Sequence, residues 1–176
     1  MEKSGASDSL LYPVIFFKLK EQLWAMGLNW VQEVLQSRGL GPLPNAHPSI
    51  AGLLNVRGQV LPVLKGRDIL MVQQDAGKAP HEMPLEEKTA QNRVLLISVN
   101  DMSMGLAVDS VIQIGKLDME KTCLHEDISW DKDATPWNAD FLWKLTKAED
   151  GAPIPVLDIP RLADYVAGIG GVIRQR

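Results

Sequence analysis

The sequence contains a faint internal repeat, and this feature constrains the fold more than any other. Moving residues 17–21 forward by 80 positions (97 − 17) places them on residues 97–101, which show the same order of apolar and polar side chains. Further along, residues 61–64 recur as 154–157 after a shift of 93 positions (154 − 61). Chance similarity between β-rich segments is one explanation. Because the matches keep their order along the chain, we favour two related subdomains.

Short runs of β-forming residues occupy most of both halves. In the first half they lie at 14–19, 23–28, 31–35, 50–56 and 59–64. In the second half, residues 94–97 are apolar at consecutive positions, which is typical of strands covered on both faces. Five strands make a small core on their own, so we expect the two halves to share apolar surface. The sequence therefore predicts a mainly β fold.

The polar stretch 73–92 divides the two halves. It contains Pro80 and Pro84 and has no sustained apolar period, so it predicts a surface loop. The two subdomains span about 13–72 and 93–167, and segments can be exchanged between them. The predicted organisation is a flexible N-terminal segment, a single domain and a C-terminal tail, at 1–12, 13–167 and 168–176.

One longer helix is predicted near the C-terminus. Residues 159–166 follow a helical pattern in which Pro160 occupies the first turn, where its missing amide hydrogen has no cost. Glycine at Gly168, Gly170 and Gly171 favours the end of the helix at that point.

Composition excludes several classes of function. The formal net charge is −4, with 18 Lys and Arg scattered among 22 Asp and Glu, so no broad face suits duplex nucleic acid. No apolar run reaches the roughly 18 residues of a membrane span. Cys123 is the sole cysteine, which rules out an intramolecular disulfide and favours a reducing cytoplasm.

Catalytic and metal-binding patterns are weak. Cys123 and His125 could act as a nucleophile and base or as two metal ligands, but a pair alone completes neither kind of site. His47 and His81 lie in proline-rich stretches without supporting spacing. We therefore predict no catalytic residues, no metal site and no cofactor. A small barrel that binds a ligand or nucleic acid is the alternative to an interaction protein.

The most informative local pattern is a proline-rich loop followed by a hairpin. The stretch 39–48 contains three prolines, and two apolar runs then flank Arg57 and Gly58. Gly58 supplies the positive φ that the turn requires, and Asn55 can bind local backbone with its amide. Arg57 then projects from the tip of the hairpin. It can meet a partner's carboxylate or pair with an acidic neighbour on its own surface.

These residues resemble the CheW family of chemotaxis coupling proteins. The family pattern joins Leu-Pro to Asn-apolar-Arg-Gly-x-apolar-apolar-Pro-Val, and it is matched here from Leu43 to Val63. Residues 31–34 resemble the family's Val-x-Glu strand, and residues 151–162 resemble its closing strand and helix. The resemblance covers roughly residues 13–165 and is specific in the first half only.

The resemblance implies two SH3-like five-stranded β-barrels packed together, with short helices and without enzymatic activity. It implies an adaptor that couples the cytoplasmic tip of a methyl-accepting chemoreceptor to the regulatory domain of a CheA-type histidine kinase. Such an adaptor is cytoplasmic and is recruited to membrane receptor arrays. The partner-binding residues carried over are Val31, Glu33, Asn55, Arg57 and Gly58 of the two motifs, with Leu54 and Val56 as groove or core residues.

Two features depart from the family pattern. Lys65 and Gly66 stand where the family usually has Asp and Leu, which reverses a charge beside the expected surface. The region of Trp130, Trp137 and Trp143 is also unusual. Tryptophan is common both at interfaces and in cores, and core burial is the favoured interpretation for these three. The departures suggest a divergent system that controls twitching motility or another output.

Overall fold

A computed structural model describes residues 10–72, 93–124 and 135–173 of the chain. Most of the predicted N-terminal segment, the predicted loop 73–92 and the last three residues of the predicted tail lie outside the described residues. So do Trp130, His81 and His125.

Eleven strands and two α-helices form the described part of the chain. In the first half these are β1 Leu11–Leu19, β2 Gln22–Gly27, β3 Val31–Gln36, β4 Ile50–Val56, β5 Gln59–Lys65 and α1 Gly66–Leu70. In the second half they are β6 Arg93–Val99, β7 Met102–Val108, β8 Ser110–Asp118, β9 Cys123–Leu124, β10 Leu142–Lys147, β11 Pro153–Leu157 and α2 Ile159–Ile173. Short 3-10 turns at Leu28–Trp30 and Ala139–Phe141 precede β3 and β10. The predicted mainly β fold class is confirmed.

The strands form two sheets, and each sheet takes strands from both halves of the chain. One sheet has the order β3-β6-β7-β5-β4, and the other has the order β8-β1-β2-β11-β10-β9, in which β9 is only two residues long. The hairpin β6–β7 lies between β3 and β5, and the hairpin β1–β2 lies between β8 and β11. The parallel contacts of the two sheets, β5 with β7 and β11 with β2, are equivalent. Each half therefore contributes its first hairpin to the sheet of the other half.

Three apolar clusters result from this arrangement. The largest lies between the sheets and includes Phe17, Trp24, Leu64, Leu95 and Leu106. Two smaller clusters lie on the opposite faces of the sheets, and their buried members are Val14, Ala25, Leu117, Ile154 and Val156 on one sheet and Leu54, Val63, Val94 and Ala107 on the other. Both faces of the central strands are covered, which explains why their apolar residues are consecutive rather than alternating.

A charged contact ties the sheets together at one end. Arg67 donates from Nε and Nη2 to the two carboxylate oxygens of Asp109, at 2.8 Å each. The backbone N–H of Lys20, in the β1–β2 turn, donates to the same carboxylate at 2.5 Å. Both charged side chains are largely buried. The contact therefore joins α1, the β1–β2 turn and the β7–β8 turn through one carboxylate.

The C-terminal helix is longer than the sequence predicts. It runs from Ile159 to Ile173, so the prediction that Gly168, Gly170 and Gly171 end it is wrong. Glycine weakens a helix by only about 1 kcal/mol and keeps its amide donor, whereas proline would break the hydrogen-bond ladder. Leu162, Ala163 and Val166 bury one face of the helix in the central cluster.

Candidate partner-binding surface

The predicted hairpin tip is present and has a defined geometry. Strands β4 and β5 pair antiparallel up to Val56 and Gln59, which leaves Arg57 and Gly58 as a two-residue turn. Both turn residues have positive φ, 52° and 88°, as in a type I′ hairpin. Asn55 Oδ1 accepts a hydrogen bond from the Gly58 N–H at 2.9 Å. The turn therefore fixes the backbone position from which the Arg57 side chain extends.

Arg57 forms an ion pair with Glu33 across the sheet. Arg57 Nη2 lies 3.3 Å from Glu33 Oε2, and the two side chains are 84% and 39% exposed. Glu33 is on β3, which is one outer strand of the five-stranded sheet, while β4 is the other. The contact thus brings opposite edges of the sheet together. Of the two interpretations of Arg57, pairing with an acidic neighbour on its own surface is present in this structure.

A depression of about 480 Å³ lies beside this ion pair. Its walls include Arg57 and Glu33 together with residues outside the predicted partner-binding set, namely Gln32, Gln59, Leu61 and Leu96. Leu96 belongs to β6, far from the hairpin in sequence, so no local pattern could have assigned it to this surface. The depression offers polar side chains around a small apolar floor.

The other predicted residues lie at different depths. Asn55 and Gly58 are exposed, and Val31 is half-buried against the central cluster. Leu54 is 8% exposed and belongs to the smaller cluster of its sheet, on which Val56 packs from the side. The polar residues among those predicted to bind a partner are thus accessible to it. Leu54 is buried in the apolar cluster beneath them.

The internal repeat explains the unusual Lys65. The shift of 93 positions that relates β5 to β11 places Lys65 on Asp158 and Asp68 on Arg161. Lys65 Nζ lies 3.7 Å from Asp68 Oδ2, and Arg161 Nε lies 3.5 Å from Asp158 Oδ2. Both helices therefore begin with an ion pair of the same spacing but opposite polarity. The positive charge of Lys65 is therefore balanced by Asp68, in the first turn of the helix that follows it.

The tryptophans divide between core and surface. Trp137 is 4% exposed and belongs to the central cluster, as the favoured interpretation expects. Trp143 is half-buried and contacts Tyr12 edge-on, with ring centroids 5.5 Å apart. Trp130 lies outside the described residues.

The candidate catalytic and metal-binding residues remain dispersed where they can be located. Cys123 is an exposed free thiol, and His47 Nδ1 accepts a hydrogen bond from the Ser49 N–H at 3.2 Å. Within residues 10–72, 93–124 and 135–173, no three His, Cys, Asp or Glu side chains cluster as a metal site. None of the helices in these ranges is long and apolar enough to cross a membrane.

Comparison with known protein families shows to which family the chain belongs. A family model described as the CheW-like domain matches residues 13–167. The chain belongs to the CheW-like family. The matched range contains all the described strands except the start of β1, together with α1 and the first part of α2.

Two CheW proteins that resemble this chain have low sequence identity to it. The chemotaxis protein CheW of Thermotoga maritima is 22% identical over 103 residues, which is 58% of this chain and 60% of the relative. The match therefore spans less than two thirds of that relative's length. The crystal structure of the scaffolding protein TtCheW from Thermoanaerobacter tengcongensis aligns with a TM-score of 0.64 at 20% identity, over 84% of this chain and 89% of that chain. The likeness shows that the two share a CheW fold.

Proposed function

We propose that this CheW-like protein is a non-catalytic adaptor that couples a chemoreceptor to a CheA-type histidine kinase. The observation that carries the proposal is the Arg57–Glu33 pair on a rigid hairpin, which stands where the sequence matches the CheW motif. Residues 13–167 act as one unit in this role, because the two sheets share a single central cluster. The protein works in the cytoplasm and joins receptor arrays at the membrane.

The receptor tip binds at the hairpin surface. Arg57 is mostly exposed, so its pair with Glu33 contributes only about 0–1 kcal/mol and can be exchanged for a partner's carboxylate at little cost. Asn55 and Gly58 hold the turn, while Leu54 and Val56 support it from the cluster beneath. Val31 and Glu33 supply the adjoining β3 edge. Charge then sets the register of the helical receptor tip on this surface.

The kinase regulatory domain binds elsewhere, at the ends of the barrels. An adaptor with two separate surfaces can transmit a receptor movement as a change in how the kinase is held. Such transmission is a coupling free energy and needs no chemistry in the adaptor.

Calorimetry tests both contacts. The purified full chain is titrated into the C-terminal regulatory domain of a CheA-type histidine kinase from the same organism, and separately into a helical receptor-tip fragment. We expect binding to both. We expect Arg57→Glu to weaken receptor binding by about tenfold and to leave kinase binding unchanged.

Lys147→Glu provides the matched control, because Lys147 is an exposed cation on the other sheet. It makes the same charge reversal away from the hairpin and should leave receptor binding intact. Absence of kinase binding at high micromolar protein would refute the array role. Screening for a small ligand of the barrel would then be the next experiment.

A further inference from the structure

A pocket of about 340 Å³ opens where β1 and β10 meet the start of α2. Its aromatic walls are Tyr12, Trp30 and Trp143. It shares no lining residue with the depression beside Arg57. The pocket is therefore a surface separate from the proposed receptor site, and a ligand could bind there whether or not the protein is an adaptor.

The aromatic walls are held in place by specific contacts. The Tyr12 hydroxyl donates to Asn29 Oδ1 at 2.6 Å, and its ring packs edge-on against Trp143. Burial raises the pKa of Tyr12, while a side-chain hydrogen bond with Trp30 acts in the opposite direction. Gly27 makes room for the hydroxyl, since a β-carbon there would collide with it. The rings thus form a preorganised wall, which lowers the entropy cost of binding.

The fold does not require these aromatic residues. Trp30 corresponds to Ser110 after the shift of 80 positions. Trp143 corresponds to Ala51, because Leu142 pairs with Leu157 as Ile50 pairs with Leu64, and each is followed by one bulged residue. The equivalent position in the other repeat is therefore built without either indole. The aromatic walls are a specific property of this end of the molecule.

Two carboxylates and one cation line the pocket, Asp158, Asp164 and Arg161, which leaves a net charge of −1 at the rim. Asp158 is engaged with its own helix, because it accepts the Arg161 N–H at 3.0 Å and pairs with the Arg161 side chain. Asp164 is exposed, and its carboxylate has no ion pair or hydrogen bond within the described part of the chain. Lys144 Nζ, which is outside the pocket, lies 5.6 Å from the centroid of the Trp143 ring. One carboxylate is thus free for a ligand beside rings that attract cations.

We propose that this pocket binds an arginine side chain of a partner protein. Pro160 is exposed at the pocket and, with the aromatic rings, provides an apolar surface for the aliphatic stem of arginine, while Leu157 and Ile159 are buried behind it. The planar guanidinium stacks on the aromatic faces and donates to Asp164. A compact ammonium ion would leave the apolar surface uncovered. The pocket volume, near the lower limit of ligand sites at roughly 300 Å³, suits one long side chain.

Nuclear magnetic resonance of the full chain tests the inference. The indole N–H signals of Trp30 and Trp143 are followed during titration with acetyl-Gly-Arg-Gly-amide, and with the same peptide carrying neutral citrulline. We expect the arginine peptide to shift both signals with a Kd of about 1 mM. We expect the citrulline peptide to bind at least about fivefold more weakly, since it lacks the charge.

Two variants test whether the Asp164 carboxylate binds the charged group of the peptide. Asp164→Asn should weaken binding of the arginine peptide by about three- to tenfold, whereas Glu149→Gln should leave it unchanged. Glu149 is an exposed carboxylate in the β10–β11 turn, outside the pocket, so the two variants change the net charge equally. Retained backbone spectra show that both variants fold.

Three results would overturn the inference. The first is equal affinity for arginine and citrulline, or no saturable shift up to about 10 mM peptide. The second is an equal loss in Glu149→Gln, which would indicate general attraction to an acidic protein. The third is tighter binding of tetramethylammonium than of the arginine peptide, which would make the pocket a site for compact free ammonium ions.

Discussion

Arg57 and Glu33 meet across the two outer strands of the five-stranded sheet, with Nη2 and Oε2 3.3 Å apart. The hairpin turn aims the guanidinium at β3 because Asn55 holds the Gly58 N–H and both turn residues adopt positive φ. The ion pair is therefore part of how the sheet closes as well as part of the proposed receptor surface. These two roles make different predictions.

A charge exchange separates the two roles of Arg57. Because the pair is exposed, we expect Arg57→Glu to change the free energy of unfolding by no more than about 1 kcal/mol. Combining it with Glu33→Arg restores the ion pair in reverse. If Arg57 meets a receptor carboxylate, the double variant stays defective in receptor binding by calorimetry. Recovery of binding in the double variant would assign Arg57 to closing the sheet alone.

The Arg67–Asp109 contact should matter more for stability. Both side chains are largely buried, and Asp109 also accepts the Lys20 N–H. We expect Arg67→Met to lower the free energy of unfolding by about 3 kcal/mol, because it leaves a buried carboxylate without its cation. Arg67→Met combined with Asp109→Leu should cost less than the sum of the single variants in urea unfolding. Additive losses would show that the two residues act independently.

Two glycines should respond to alanine in opposite directions. A β-carbon at Gly66 would collide with the carbonyl oxygen of Ala107 and lie 3.1 Å from Leu19 Cδ2, so Gly66→Ala should destabilise the protein by about 2 kcal/mol. A β-carbon at Gly168 meets nothing within 4 Å, and this residue lies inside α2. Gly168→Ala should therefore stabilise by about 0.5–1 kcal/mol. Thermal unfolding measures both, and a loss at Gly168 would contradict the extended helix.

The reversed ion pair at α1 can be converted to the form found at α2. Changing Lys65→Asp together with Asp68→Arg reproduces the arrangement of Asp158 and Arg161. We expect the double variant to be as stable as the parent or up to about 1 kcal/mol more stable, because aspartate caps a helix N-terminus and lysine does not. Lys65→Asp alone should be less stable than the double variant, since two carboxylates then face each other. A large loss in the double variant would show that Lys65 has a contact beyond Asp68.

Local patterns predicted the elements closest to the candidate surface. The hairpin around Arg57 and Gly58 was predictable because a two-residue turn with a glycine has few alternatives between apolar runs. The end of α2 was not, because glycine only weakens a helix and burial of Leu162 and Val166 outweighs that cost. The sequence also did not indicate which residue pairs with Arg57, since the fold could have brought any acidic side chain next to it.

The sequence by itself determined the strands of the first half, the repeat and the turn chemistry, because these depend on the period of apolar residues and on φ angles that only some residues adopt. Only the tertiary structure decided how the halves combine. Exchange of the β1–β2 and β6–β7 hairpins between sheets places Leu96 beside Arg57 and brings Tyr12 to Trp143. Such neighbours are far apart in the chain, and their contact depends on which apolar faces bury each other, a choice that no local pattern records.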